Sequence, residues 1–236
     1  MAEPIFAASR MKVQRAVGFL AELRETMANY VNDNPVQITP VPAEPGRDLS
    51  FDLEWKNLGL LPGAIVGDAV HNLRTALDLM ASELATMKGR GCKDVYFPIA
   101  DVEANLDKRI EKTCFAKAGD DAVEILRSLK PYRGGNDLLR TLHDLDIADK
   151  HTALTAVNSM TGFAIDMEQD PNDPEKVTLK PAVLHGEINF PADSALPDEP
   201  IIETLEKMVE LVEGILGAFE RLVGLRTAAG IARPAD

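Results

Sequence analysis

A chain of 236 residues, 45% apolar and 27% charged, is long enough to bury a sizeable core and too ordinary in composition for wholesale disorder. Only 5% of the residues are aromatic while Leu and Ala abound, which favours packed helices over a sandwich of strands. The formal net charge of −13 repels phosphate backbones, and Lys and Arg are scattered with no cluster beyond KGRGCK at 88–93, so nucleic acid is not the default partner.

In chain order, residues 5–33 carry a helical period: Val13, Val17, Leu20, Leu23, Met27 and Tyr30 recur three or four apart, and NDNP (32–35) ends the run. VQITPVP and LSFDLEW are short β-like runs either side of AEPGRD, a hairpin in which Pro40 and Pro42 must sit at an edge. Pro62 opens a long helix to about Met87, closed by KGRG. VYFPI (95–99) is extended. Asp101 is an N-cap for a helix running towards Ala118, and Asp120 and Asp121 cap a shorter one that stops at KPYRGG. Asn136 or Asp137 starts the next helix. Val157–Phe190 alternates like strands, with EQDPNDPEK as a polar turn between them. The segment 201–225 is the clearest helix: Ile202, Leu205, Val209, Val212, Leu216, Phe219 and Val223 form one stripe, with glutamates elsewhere. Gly214 and Gly217 either admit a close helix neighbour or are tolerated helix glycines.

The expected fold is mainly α (α+β). It is a helical bundle over 1–236 with long terminal helices and β-like segments near 36–55 and 157–190 as an appendage. Cys92 and Cys114 have neither CxxC nor zinc spacing, which reads as a reducing cytoplasm. The first residues lack a secretory signal pattern, and no apolar run approaches membrane-spanning length. The 201–225 stripe packs inside its own chain or, as the other reading, forms a seam for self-association or a protein partner.

Three of the four histidines fall in two motifs, GDAVHNLRTALD (67–78) and LHDLDIADKH (142–151). On the first helix, Val66, Val70, Leu73, Leu77, Met80 and Leu84 define a core face. Asp68, His71, Arg74, Thr75, Asp78 and Ser82 gather opposite, with Arg74 and Asp78 able to pair at i,i+4. This is a solvated face, or else a second interface or pocket wall, since it has no Lys and one Glu near its end. On the second helix, the stripe Leu138, Leu142, Leu145 meets Asp149, with Asp146 at its margin. Either a carboxylate turns to the core and needs a cation (Lys150, His151 or Arg74), or the helix ends at Ala148 and Asp149 is terminal.

Asp68-x-x-His71 and His143-x-x-Asp146 each set a carboxylate and an imidazole on one helical face, a way to hold a divalent metal. Small helical ribonucleases of the HEPN type place an Arg four to six residues before a His; Arg140 stands too near His143 and too far from His151. No GxSxG, Walker A, GxGxxG or HExxH is present. His185 reads as an ordinary sheet or surface histidine.

IVGDAVHNLRTALD, YFPI, LKPY and LHDLDIADKH, in that order, resemble a group of uncharacterised bacterial and phage-associated proteins with a GDxxHNLRxALD helix and a later DKH segment. The resemblance spans roughly 58–155. It implies no activity, because the group carries none that could be transferred, and amides are expected where Leu145 and Asp146 stand. Taken together, the residues point to a binding or interaction protein. In that reading Asp68, His71, Asn72, Arg74 and Asp78 face His143, Asp146, Asp149, Lys150 and His151 across a polar network. The alternative is a hydrolase or ribonuclease using His71, Arg74, His143, Lys150 or His151, with or without metal.

Overall fold

Helices form where apolar residues recur every three to four positions, and the computed structural model arranges the longest of them around α2. It describes residues 4–33, 35–41, 50–91, 93–151, 157–170, 173–192 and 194–230. The long elements are α1 (Ala7–Asn32), α2 (Leu61–Met87) and α6 (Ile201–Ala228). Between the last two in the chain come α3 (Leu106–Lys112), α4 (Asp120–Ser128) and α5 (Asp137–His151). The β part is two antiparallel hairpins, β1 (Val36–Val41) with β2 (Ser50–Trp55), and β3 (Val157–Asp170) with β4 (Asp173–Asn189). The molecule is mainly helical with a small β addition, as its composition indicates.

α2 touches α1, α5 and α6. Its stripe Val66, Val70, Leu73, Leu77, Met80 and Leu84 is fully buried, and Ala69, Ala76, Ala81 and Ala85 beside it let neighbours approach from more than one side. Each such Leu or Val contributes ~1.5–3 kcal/mol by leaving water. On α6 the expected stripe is buried against α1 and α2, except that Ile202 is only partly covered. Two α6 glutamates reach across to α1: Glu220 accepts from Arg10 Nε at 2.7 Å, and Glu206 pairs with Arg24. Gly214 and Gly217 have open space or ordinary contact where a Cβ would stand, so they are tolerated glycines and not points of close approach. On α1, Val17 is exposed, and Ser9 and Ala16 take buried places that apolar spacing alone did not assign.

Several boundaries differ from expectation for local reasons. Asp101 does not cap a helix to Ala118. Its Oδ1 accepts Val102 N–H at 2.9 Å and the Asn105 amide at 2.8 Å, making a turn, and α3 begins only at Leu106. α3 then stops at Thr113, whose hydroxyl bonds back to Arg109 O at 2.9 Å, and Cys114 takes a left-handed φ of 52°. That reversal drops Phe115 into the core, edge-on to Phe97 (6.0 Å) and Phe219 (6.2 Å). Gly119, at φ 104°, is the N-cap of α4, and Asp120 and Asp121 occupy its first turn. Asp121 accepts Arg226 Nε at 2.8 Å, and this guanidinium holds its carboxyl down to about 2. Asn136 Oδ1 accepts Leu139 N–H at 3.0 Å and so caps α5. Most of the segment expected as a polar turn over 168–176 is strand instead, because β3 runs on to Asp170 and β4 begins at Asp173.

Candidate functional site

The polar face of α2 is solvated only at its start, where Asp68 and His71 are exposed, and is covered further along at Arg74, Asp78 and Ser82. Arg74, Asp78 and Ser82 stand one turn apart and pair with the backbone of the extended strip 95–100, as a neighbouring strand would. Arg74 Nη2 donates to Phe97 O at 2.9 Å, Phe97 N–H donates to Asp78 Oδ1 at 2.8 Å, and Ser82 Oγ donates to Val95 O at 3.0 Å. Arg74 Nη1 lies 2.8 Å from Asp78 Oδ1. The strip's other backbone groups turn away, Tyr96 N–H to Thr113 O (3.0 Å) and Ala100 N–H to Pro131 O (2.9 Å). Short side chains of fixed length suit this pairing, whereas Lys and Glu would not hold the register. Burial pushes the Asp78 carboxyl up, and Arg74 and the Phe97 amide work against that rise. Arg74 and Asp78 therefore serve the strip and, among the described residues, make no hydrogen bond to α5.

One turn earlier, α2 meets α5. His71 Nδ1 lies 2.9 Å from Asp146 Oδ1, and Lys150 Nζ donates to Asp146 Oδ2 at 2.6 Å. A carboxylate only accepts, so His71 donates from Nδ1, and the Thr75 hydroxyl lies 3.4 Å from its Nε2. Asp146, only 3% exposed, is the buried carboxylate of this helix, held from both sides. Apolar spacing points to Asp149 instead. Helix α5 continues through His151, so Asp149 is not terminal, yet it is only partly buried. Burial first, then the charges of Asp68 and Asp146, raise its carboxyl pKa, with His71 and Lys150 opposing. Asn72 turns back on its own helix, donating to Asp68 O at 2.7 Å. The His151 side chain lies outside the described residues.

Gly67 explains how Asp149 fits. A Cβ there would stand 2.1 Å from Asp149 Oδ1 and 2.5 Å from its Cγ. Gly→Ala inside a helix ordinarily gains about 1 kcal/mol. At Gly67 we expect the opposite sign, a net loss of about 1–2 kcal/mol, since Asp149 or the α2–α5 spacing must shift. Urea denaturation of Gly67→Ala and of Gly67→Ala/Asp149→Ala checks it: the double variant should recover most of the loss. A stabilised Gly67→Ala would show that the contact is slack.

The adjacent face of α5 looks elsewhere. Arg140, His143 and Ile147 line an open cleft of about 360 Å³, together with the strip end Ile99–Asp101 and residues of α3. That volume is within the range of small-ligand sites. His143 is 9% exposed, and its Nδ1 is shut off from solvent with no hydrogen-bond partner among the described residues. Burial, then the charges of Arg74, Arg140 and Arg109, push its pKa down to about 4, with Asp144 opposing weakly. The ring is neutral at pH 7. α3 supplies Lys108, Arg109 and Lys112 from one flank, while Leu106 and Ile110 face the core. These cations were not singled out from the sequence. The available signal was Lys108 and Lys112 at i,i+4 on a helix, diluted by the −13 of the whole chain.

The two motifs thus meet through His71, Asp146 and Lys150, but His143 belongs to the cleft and Arg74–Asp78 to the strip. Among the described residues no three His, Cys, Asp or Glu side chains converge as a metal would need, so Asp68, His71, His143 and Asp146 do not form the joint ligand set considered from spacing. Among those residues, too, no helix is long and apolar enough to cross a membrane. Comparison of the chain with protein-family models, curated proteins and solved structures gives no match.

Proposed function

We propose that this chain is a ligand-binding protein of the reducing cytoplasm whose recognition surface is the cleft between α3 and α5. The observation that carries the reading is His143 Nδ1, a buried polar atom without a partner on a residue that lines a ligand-sized cleft. About nine in ten or more buried polar groups in folded proteins have a partner, so an orphan beside a cavity marks where one is supplied from outside. The α2–α5 joint then acts as a support: Asp146, gripped by His71 and Lys150, sets the roll of α5 that delivers Arg140 and His143 to the cleft. Self-association through α6 draws less support, because its stripe lies against α1 and α2.

One observation favours the hydrolase alternative. Asp146, His71 and Thr75 follow one another in the order acid, imidazole, hydroxyl. Against it, Thr75 sits mid-helix, where backbone N–H groups are engaged in the helical ladder and none is left to bind an oxyanion.

A thermal-shift screen of small molecules against wild type, His143→Ala and His71→Ala separates the two. A binding protein gives ligand-dependent stabilisation that His143→Ala abolishes and His71→Ala only weakens, with no turnover in any of the three proteins. Turnover of ester or phosphodiester substrates that disappears in His71→Ala would overturn the reading in favour of the enzyme.

A further inference from the structure

We infer that the α3–α5 cleft takes a small oxyanion of the phosphate monoester type, held by Lys108, Arg109, Lys112 and Arg140 with His143 in the wall. The inference rests on the binding reading above and adds the charge and chemistry of the ligand.

The charges of the cleft carry it. Among the described residues no carboxylate lies within ion-pair distance of Lys108, Arg109 or Lys112, whereas the neighbouring Asp107 on α3 is drawn off to Arg127 at 2.6 Å. Arg140 is matched by Asp144, with Nε to Oδ2 at 3.1 Å. The acid on the cleft wall, Asp101, already accepts Val102 N–H and the Asn105 amide. Three cations on one flank of a seven-residue helix therefore stand without a counterion, in a chain whose net charge is −13.

Among the described residues six buried side-chain atoms lack a hydrogen-bond partner, and two of them belong to residues that line the cleft. Besides His143 Nδ1, Arg109 Nε is buried with no partner. Both side chains line the cleft, and since both nitrogens are covered as they stand, the side chains must turn for either nitrogen to meet an occupant. A guanidinium edge matches two oxygens of a phosphate, and ammonium groups match the remainder as point charges. The groups that face His143 are Arg74 from α2, Arg109 from α3, and Arg140 and Asp144 from α5. A dianion held by Arg109 and Arg140, the two of these guanidiniums that line the cleft, offsets their repulsion of an imidazolium.

Size and surroundings select a monoester over a polyanion. The cleft exceeds the volume of a phosphate alone, and Ile99, Ala100 and Ile147 offer an apolar wall for an organic substituent. A nucleic acid strand would run on from the cleft over an acidic surface, with repulsion growing at each further phosphate.

Imidazole-detected NMR titrations of the full chain test this with inorganic phosphate, phenyl phosphate, benzyl alcohol and a single-stranded RNA hexamer. Inorganic and phenyl phosphate should move the His143 resonances, and saturation should raise the proton affinity of His143 tenfold or more. Arg109→Gln and Lys108→Gln/Lys112→Gln should each weaken binding about tenfold or more, roughly one charge-assisted contact's worth, while leaving the ligand-free melting temperature near that of wild type. Phosphate binding indifferent to both variants would move the site elsewhere and overturn the inference. RNA binding tighter than phenyl phosphate, with a steep salt dependence, would replace it with a nucleic acid surface. If benzyl alcohol or another uncharged ligand binds through His143 and phosphates do not, the binding reading stands and this inference falls. If nothing perturbs His143, both fall.

Discussion

Arg74→Ala is expected to destabilise the fold by about 3 kcal/mol, the lower end of the cost of breaking a buried ion pair. Arg74 is 6% exposed, and its guanidinium both neutralises Asp78 and caps Phe97 O. Its removal strands a carboxylate that burial already raises and leaves a buried carbonyl without a donor. The figure sits at the lower end because the Asp78 side chain keeps 26% of its surface in water and still accepts the Phe97 amide. Urea denaturation gives the loss, and hydrogen exchange localises it: the amides of Phe97 and Tyr96 should lose protection before those of α6. Arg74→Lys should recover only part, because an ammonium cannot make both bonds in one plane. A loss under about 1 kcal/mol would mean that the strip is held by Phe97 and Phe115 packing alone. The substitution should also raise the His143 pKa, since Arg74 is the first of the charges that depress it.

Acidification should remove about 3 kcal/mol through His143, and the sign follows from which state binds the proton. The folded pKa of about 4 lies below the ordinary 6.5, so between these values the unfolded chain takes up the proton and the folded one does not. Stability from this group is therefore whole above about pH 6.5, declines as pH falls, and is gone below about pH 4. Asp149 and Asp78 act in the opposite direction. Their carboxyls are pushed up, so the folded state binds those protons first and gains relative stability as pH falls through their range. The difference between wild type and His143→Gln isolates the histidine. Chemical denaturation at pH 7, 6 and 5 should show wild type losing stability faster than the variant. Parallel slopes would mean that the imidazole is charged in the folded state at pH 5. If the cleft binds phosphate, adding it should flatten the wild-type slope, since the occupied site accepts the proton.

Much of the frame was legible because helix and strand periods are local. The α2 stripe, the α6 stripe and both hairpins depend on residues a few positions apart. The two helices bury the side that their spacing assigns, and β1 pairs with β2 and β3 with β4, both antiparallel. Legibility failed where burial is decided by a distant partner. Asp149 falls on the α5 stripe and Asp146 on its margin, yet Asp146 is the one enclosed, because His71 and Lys150 reach it and Gly67 leaves only a shallow place for Asp149. Arg74 and Asp78 looked like a surface pair. They became interior when the strip 95–100, some twenty residues on, lay across them.

By itself, the order of residues determined a mainly helical chain, the extents of its long helices, and two segments where short polar side chains concentrate. Those properties follow from steric and solvent preferences acting over one or two turns. Only the tertiary structure decided how the two motifs divide their work, as joint, clasp and cleft wall. It alone brought Lys108, Arg109 and Lys112 beside Arg140 and His143. Charge acts through space, and the roughly thirty residues that separate α3 from His143 in the chain hide an accumulation that folding makes local.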